Sequence, residues 1–243
     1  MALVGGGGKT SALGQLAREM AAAGSRVVVT TTTAMFQHEL AAVGPIVMEA
    51  DKSTLTARLR TALAGGQIVA VAHSPQAPGK VAGLAPAVVD WLWAEALVDH
   101  LVVEADGSRG RSLKAFAAHE PRVPAATATI VQVAGLDAIG RPLSDEYVHR
   151  AGTLAAALGL PLGSEVTTRV FADGLQEQLR RLQRILRGSR VVTLLNKADG
   201  PEAEGLGLDV SQRLLAGDRE RADAVVIASL RQGRYARVCA SEV

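Results

Sequence analysis

The sequence predicts an α/β fold, a mainly parallel twisted sheet flanked by helices, and three observations carry that expectation. Short β-branched runs recur along the chain, apolar on consecutive residues, which suits strands covered on both faces. The segments between them repeat apolar residues at helical spacing. A run of glycines, Gly5–Gly8, separates a short first strand, MALV, from an amphipathic helix. In chain order, Leu13, Leu16, Ala17 and Met20 mark that helix and Gly24 ends it. The strands then read as RVVVT (26–30), IVAVA (68–72), LVV (101–103) and TIVQVA (129–134), followed later by VVTLL (191–195) and VVIA (225–228). Val148, Ala151, Ala155 and Leu158 predict a further helix. Asp173 and Gln176, at capping-box-like spacing, predict the start of another that carries Leu175, Leu179, Leu182 and Leu186. Strand, helix, strand, repeated, implies parallel pairing through right-handed crossovers. Residues 73–87 and 105–126 resist the pattern, being rich in Gly, Pro, Ser and Lys. Both follow strand ends, where ligands of open α/β sheets bind, so we read them as functional loops. No repeat and no linker divides the chain, and the expectation is a single domain over 1–243.

Composition narrows the function classes. A 243-residue chain with 48% hydrophobic residues fills a sizeable core, which excludes a disordered polymer. Lys plus Arg (26) nearly balance Asp plus Glu (24) and aromatics are 3%, so neither the polycationic surface nor the stacking platform of a nucleic-acid binder is expected. The single cysteine, Cys239, excludes an intrachain disulfide framework or a cysteine-built metal site and suits a reducing cytoplasm. No apolar run reaches the roughly 18 to 20 residues that span a bilayer, and the N-terminus does not read as a signal peptide. The expectation is a cytoplasmic protein without a membrane partner.

The chemistry concentrates at three places. A polyphosphate needs inward-pointing backbone N–H groups, no side chains in the way, a helix N-terminus and a mobile cation. Gly5, Gly6, Gly7 and Gly8 supply bare backbone, Lys9 the charge, and Thr10 and Ser11 the helix start, with the Thr10 hydroxyl offered to Mg²⁺. The pattern matches the deviant phosphate loop of SIMIBI-class P-loop ATPases at Gly5, Gly6, Gly8, Lys9 and Thr10, whereas Val4 stands where partition-type members carry a signature lysine. The second place is the strand end LVVEADG. There Glu104 is expected to hold Mg²⁺ with Thr10, Asp106 to position a water, and the Gly107 N–H to meet the terminal phosphate. This stretch looks like the Glu-x-x-Gly element of SIMIBI metallochaperone GTPases. The third is Asn196-Lys197-Ala198-Asp199 after the strand VVTLL, which matches the Asn-Lys-x-Asp guanine signature. An aspartate there pairs with the N1 and N2 donors of guanine and is left unpaired against adenine, which selects GTP over ATP. The later VVIASL sits where a GTPase carries a second base-contacting loop.

Other polar residues leave readings open. Thr30–Thr33 close the second strand, either as strand formers or, through Thr31 and Thr32, as hydroxyls near phosphate and Mg²⁺. Lys80, Arg109, Arg111 and Lys114 lie on the two long loops, as solvated charges or as a grip for an anionic substrate, with His119 and Glu120 beside them. Five histidines with none at i,i+3 or i,i+4 give no local metal motif beyond Mg²⁺.

Taken together, LVGGGGKTSALGQLA, RVVVTTTTAMF, GKVAGL, VVEADGSRGRSLKAFAAHEP, GLDAIGRPL with VHR, and LLNKAD resemble the YqeC-type selenium-dependent hydroxylase accessory proteins over nearly the whole chain. The resemblance implies a bacterial P-loop protein linked to selenophosphate supply and to maturation of selenium-dependent molybdenum hydroxylases. It departs at the short first strand, at Ser11 and at Phe116, which replaces a small residue or proline between Lys114 and His119. The function expected is Mg²⁺-dependent binding or hydrolysis of GTP, coupled to a client hydroxylase or maturation protein and to an anionic selenium or molybdopterin-related compound. Two other readings stay open: a small-molecule kinase using ATP in the same loop, and a non-catalytic chaperone or scaffold switched by nucleotide.

Overall fold

The computed structural model describes residues 1–76, 78–216 and 222–238, so Cys239 lies outside the described residues. The chain divides into two compact units: Met1–Leu3, Lys9–Gly107 and Pro121–Thr127 form the first, and Val4–Gly8, Ser108–Glu120 and Ala128–Val243 the second.

The first unit contains, in chain order, the start of β1 (Ala2–Gly5), α1 (Lys9–Ala22), β2 (Val27–Thr31), β3 (Met35–Phe36), α2 (Gln37–Ala41), β4 (Ile46–Met48), α3 (Lys52–Gly65), β5 (Ile68–Ala72), β6 (Ser74–Gln76), β7 (Lys80–Ala82), α4 (Pro86–Ala94) and β8 (His100–Glu104). Its main strands run in the order β1, β8, β2, β5, β4, all parallel. Val27–Val29 and Val69–Ala72 are buried on consecutive residues, as strands covered on both faces must be. Helix α1 buries Ala12, Leu13, Ala17 and Ala21, and Leu16 and Met20 of the expected stripe are half-buried. It stops because Gly24 takes φ +92° and the chain closes back, Ser25 N–H on Met20 O and Gly24 N–H on Ala21 O, a glycine-terminated helix end. The stretch 73–87 is more regular than its composition suggests: β3, β7 and β6 form an antiparallel set, and Pro86 opens α4 at its first turn.

The second unit contains the end of β1, β9 (Leu113–Lys114), β10 (Thr129–Gly135), β11 (Val148–His149), α5 (Ala151–Leu158), α6 (Thr168–Ile185), β12 (Arg190–Asn196), α7 (Pro201–Leu215), β13 (Ala224–Ser229) and β14 (Arg234–Val238). The strands β10, β12 and β13 pair in parallel and β14 adds antiparallel to β13. Two expectations are corrected. Val148 does not belong to the helix its spacing suggested, because it pairs with Leu113 and only Ala151 onward is helical. Asp173 is not a helix start: α6 begins five residues earlier, where the Thr167 hydroxyl accepts from the Val170 amide, and Asp173 sits on the helix 3.6 Å from Arg169. The buried stripe Phe171, Leu175, Gln178, Leu179 and Leu182 holds the leucine period expected there. Among the described residues no helix is long and apolar enough to cross a membrane.

Candidate functional site

In the first unit, parallel pairing of β8 between β1 and β2 carries Glu104 to a strand end, and α1 begins at Lys9. The Lys9 ammonium, 4% exposed, lies 3.2 Å from Asp106 Oδ1 and 3.9 Å from Glu104 Oε1. Thr10 Oγ1 donates to Glu104 Oε2 at 3.0 Å. Burial pushes the Glu104 carboxyl above its usual range, against the pull of the Lys9 charge and the Thr10 hydroxyl. Asp106 is fully buried. The threonine run braces this corner: Thr31 Oγ1 donates to Glu104 O at 3.1 Å and the Thr32 amide to the same oxygen at 3.0 Å. Thr32 Oγ1 reaches Arg122 O at 2.8 Å, and Thr30 Oγ1 reaches Val71 O at 2.8 Å inside the sheet. Gly83 lies so close to this run that a Cβ there would meet Thr32 C at 2.6 Å. A cation, a hydroxyl and two acids thus converge at the first turn of a helix.

In the second unit, the glycines are required by close backbone approach. Gly5 and Gly7 adopt φ +97° and +74°, and a Cβ on either would run into the backbone of Val133 or Gly135. Gly6 donates to Val133 O at 2.8 Å and Gly7 to Arg111 O at 2.9 Å. Asn196, at the end of β12, donates from Nδ2 to Gly7 O at 2.8 Å and accepts on Oδ1 from the Leu230 amide at 3.1 Å, so one side chain ties the glycine turn to the segment after β13. Lys197 holds φ +68°, uncommon for a residue with a Cβ, and its Nζ donates to Ser112 Oγ at 2.7 Å and Asp137 Oδ2 at 2.8 Å. Ser229 Oγ donates to Asp199 Oδ1 at 2.5 Å, and Arg231 lies 3.6 Å from Asp199 Oδ2. The segment VVIASL therefore meets the Asn-Lys-x-Asp turn through Ala228, Ser229 and Leu230.

A second buried lysine has a different setting. Lys114 is 0% exposed and its Nζ is 2.9 Å from Glu120 Oε2, which also accepts from Arg150 at 2.6 Å. Glu120 is pushed up by burial, but the hydrogen bonds from Arg150 and Lys114 prevail and hold it at about 2. Lys114 O accepts from Gln178, whose Oε1 accepts from Gln132, which in turn accepts from Thr193, a continuous buried network.

The other expected residues are scattered. Ser11 and His119 are exposed. Arg109 is exposed at φ 51°, and Arg111 donates to Asp145 O. Lys80 lies over the Phe36 ring at 4.8 Å. A Cβ on Gly107 would meet open space. Lys114 and Glu120 are brought together, as each other's partner within the second unit. Sequence reasoning missed Ser112 and the tether role of Asp137, which lie 85 and 60 residues from Lys197, and no local spacing signals them. Among the described residues no group of three or more His, Cys, Asp or Glu is placed to hold a metal ion.

The family model described as YqeC protein matches residues 1–152. The chain is 33% identical over 198 residues to YqeC of Escherichia coli (strain K12), covering 81% of this chain and 75% of that protein. Solved structures similar to it include chloroplast FtsY from Physcomitrella patens, at 14% identity and TM-score 0.41 over 92% of this chain. FtsY from Mycoplasma mycoides is similar at 13% identity and TM-score 0.41 over 99%. The chain spans 57% and 63% of the length of those two structures, and at such scores nothing about function follows from them. The family match covers more than half of the chain and the Escherichia coli relative aligns along most of it, so the chain belongs to the YqeC family.

Proposed function

We propose that this chain is a Mg²⁺-dependent P-loop protein that binds and hydrolyses a nucleoside triphosphate, GTP, as an accessory to selenium cofactor biosynthesis and to maturation of selenium-dependent molybdenum hydroxylases. The observation that carries the nucleotide reading is the meeting of Lys9, Thr10, Glu104 and Asp106 at the start of α1. In this reading Lys9 neutralises phosphate charge, the amides of α1 and of the glycines Gly5–Gly8 that lead into it donate to phosphate oxygens, and Thr10 with Glu104 holds Mg²⁺. Bound there, Mg²⁺ would supply positive charge to the phosphate oxygens as negative charge builds on them. Its donor set fits: a hydroxyl and a carboxylate are hard oxygen ligands, and a cation would relieve the burial that works against the charged form of Glu104. Asp106 serves as the counter-ion of Lys9, and positioning a water would require it to give up that contact.

The guanine assignment rests on Asn196, Lys197 and Asp199. Asn196 braces the glycine turn and Ser229 orients the Asp199 carboxylate, the arrangement a base-reading acid needs. The pathway and a client hydroxylase rest on the family resemblance alone, and a cytoplasmic location on the single cysteine. The kinase reading loses one member of its acceptor grip, since Lys114 is committed to Glu120.

Calorimetric titration of the full chain with GTP, ATP, CTP and UTP, with and without Mg²⁺, tests the reading. GTP should bind tightest and only with Mg²⁺ at full affinity, and Asp199→Asn should move the preference toward the xanthine nucleotide. Equal affinity for all four bases, unaltered in the Asp199→Asn protein, would make the signature decorative. Absence of any nucleotide binding would remove the reading altogether.

A further inference from the structure

Resting on the nucleotide reading above, we propose that Ser112 and Asp137 are positioning residues that lock the Lys197 side chain into a rigid rail for a purine ring, setting affinity for the base independently of the phosphates. Lys197 is fixed at both ends. Its backbone is held at φ +68°, a region that a residue with a Cβ occupies only when its surroundings impose it. Those surroundings are visible: the adjacent Asn196 bonds Gly7 and Leu230 through its side chain, and the Ala198 amide donates to Ala228 O at 3.0 Å. At the other end the ammonium is shared by Ser112 Oγ at 2.7 Å and Asp137 Oδ2 at 2.8 Å. The four methylenes lie between these two fixed points, and the side chain stays 36% exposed.

The acceptors are themselves placed by backbone. Ser112 O accepts from the Gly135 amide at 2.9 Å, and a Cβ at Gly135 would sit 2.7 Å from both Ser112 Oγ and Asp137 Oδ1. Gly135 is therefore the residue that lets both acceptors approach one ammonium. The neighbouring Asp199, oriented by Ser229, offers carboxylate oxygens to a ring edge carrying N–H donors, which makes a purine with donors on that edge the matching ligand class. A free lysine side chain loses rotamer freedom when a ring packs on it, whereas this one has already lost it in the folded protein. An ordinary surface ion pair has no such consequence, and the exposed Lys197–Asp137 pair adds little to folding.

The test uses the full chain with Mg²⁺ and two probes, GTP and inorganic tripolyphosphate, which shares the phosphates and lacks the base. Ser112→Ala, Asp137→Asn and the double variant should weaken GTP by roughly five- to tenfold, from restored lysine rotamer freedom, and change tripolyphosphate affinity by less than about twofold. ITP should weaken in step with GTP, and Asp137→Glu should recover part of the loss. The proposal is overturned if GTP binding is unchanged in the double variant, or if GTP and tripolyphosphate weaken together, which would mean that the tether merely supports the glycine turn. A wild-type chain that binds tripolyphosphate but no purine nucleotide would overturn this inference and the guanine assignment while leaving the phosphate assignment standing. A chain that binds neither probe would overturn the nucleotide reading itself and this inference with it.

Discussion

Each unit buries one lysine beside carboxylate, and the two clusters differ in which charge is in excess. In the first unit one ammonium, Lys9, faces two carboxylates, Asp106 at 3.2 Å and Glu104 at 3.9 Å. In the second, one carboxylate, Glu120, faces both Lys114 and Arg150. The carboxyl groups respond oppositely: burial pushes Glu104 up, whereas Glu120, also opposed by burial, is held at about 2 by its two cationic donors. A buried acid whose charge is poorly compensated is a place where a further cation gains the most. A buried acid already satisfied from two sides is a structural tie. Burial of a lysine therefore does not distinguish a working residue from a structural one; the ratio of charges around it does.

The largest effect should come from breaking the satisfied cluster. Glu120→Ala leaves the fully buried Lys114 without its carboxylate, and loss of one partner of a buried pair costs about 3–5 kcal/mol. Thermal unfolding followed by circular dichroism should shift down by about 10 °C. A shift under about 2 °C would mean that the network around Gln178 and Gln132 carries Lys114 without Glu120.

Glu104→Gln should act in the opposite sense. It removes a carboxylate that burial disfavours, so stability should stay within about 1 kcal/mol of the parent, while GTP affinity with Mg²⁺ falls about tenfold, toward its Mg²⁺-free value. Calorimetry with and without Mg²⁺ reads both limbs, and full Mg²⁺ enhancement in the variant would move the metal away from Glu104.

The smallest effect is the pH dependence, and its sign separates the clusters. Glu104 binds its proton more tightly folded than unfolded, so its share of stability falls as pH rises above its ordinary value of 4.5. His149 is lowered from 6.5 to about 4, by burial first and then by the charges of Arg150 and Lys114. Between those values the unfolded chain holds more protons, so this contribution rises with pH and is lost on acidification. Urea unfolding from pH 4 to 7 should therefore show Glu104→Gln gaining stability relative to the parent as pH rises. A difference that is flat or of opposite slope would contradict the assignment of Glu104 as the desolvated acid.

How much of this was readable in one dimension depends on the range of the cause. The six β-branched runs became strands because consecutive apolar residues can only be buried on both faces, a local property. Gly24 and the α1 stripe were legible for the same reason. The sequence misplaces the start of α6 because one hydroxyl, Thr167, carries the cap six residues ahead of Asp173, and the leucine period gives no information about its own beginning. Val148 was read into a helix because its partner, Leu113, lies in a stretch that composition marks as loop. At the candidate site, residue types and strand-end positions were visible, but environment was not. The glycine motif singles out Lys9 and leaves Lys114 open, and only the fold shows which acid stands beside each. The pairing of Lys197 with Ser112 and Asp137 is likewise a product of parallel β10 and β12 aligning Gly135 with Asn196, beyond the reach of spacing.

The most direct measurement of the central claim is calorimetric titration of Mg²⁺-GTP into wild-type and Lys9→Ala proteins, with folding of both verified by circular dichroism. If Lys9 neutralises phosphate charge at the start of α1, the variant should fold and lose about a hundredfold or more in affinity, the worth of a charge-assisted contact. A folded Lys9→Ala protein that binds Mg²⁺-GTP as tightly as the wild type would contradict the account.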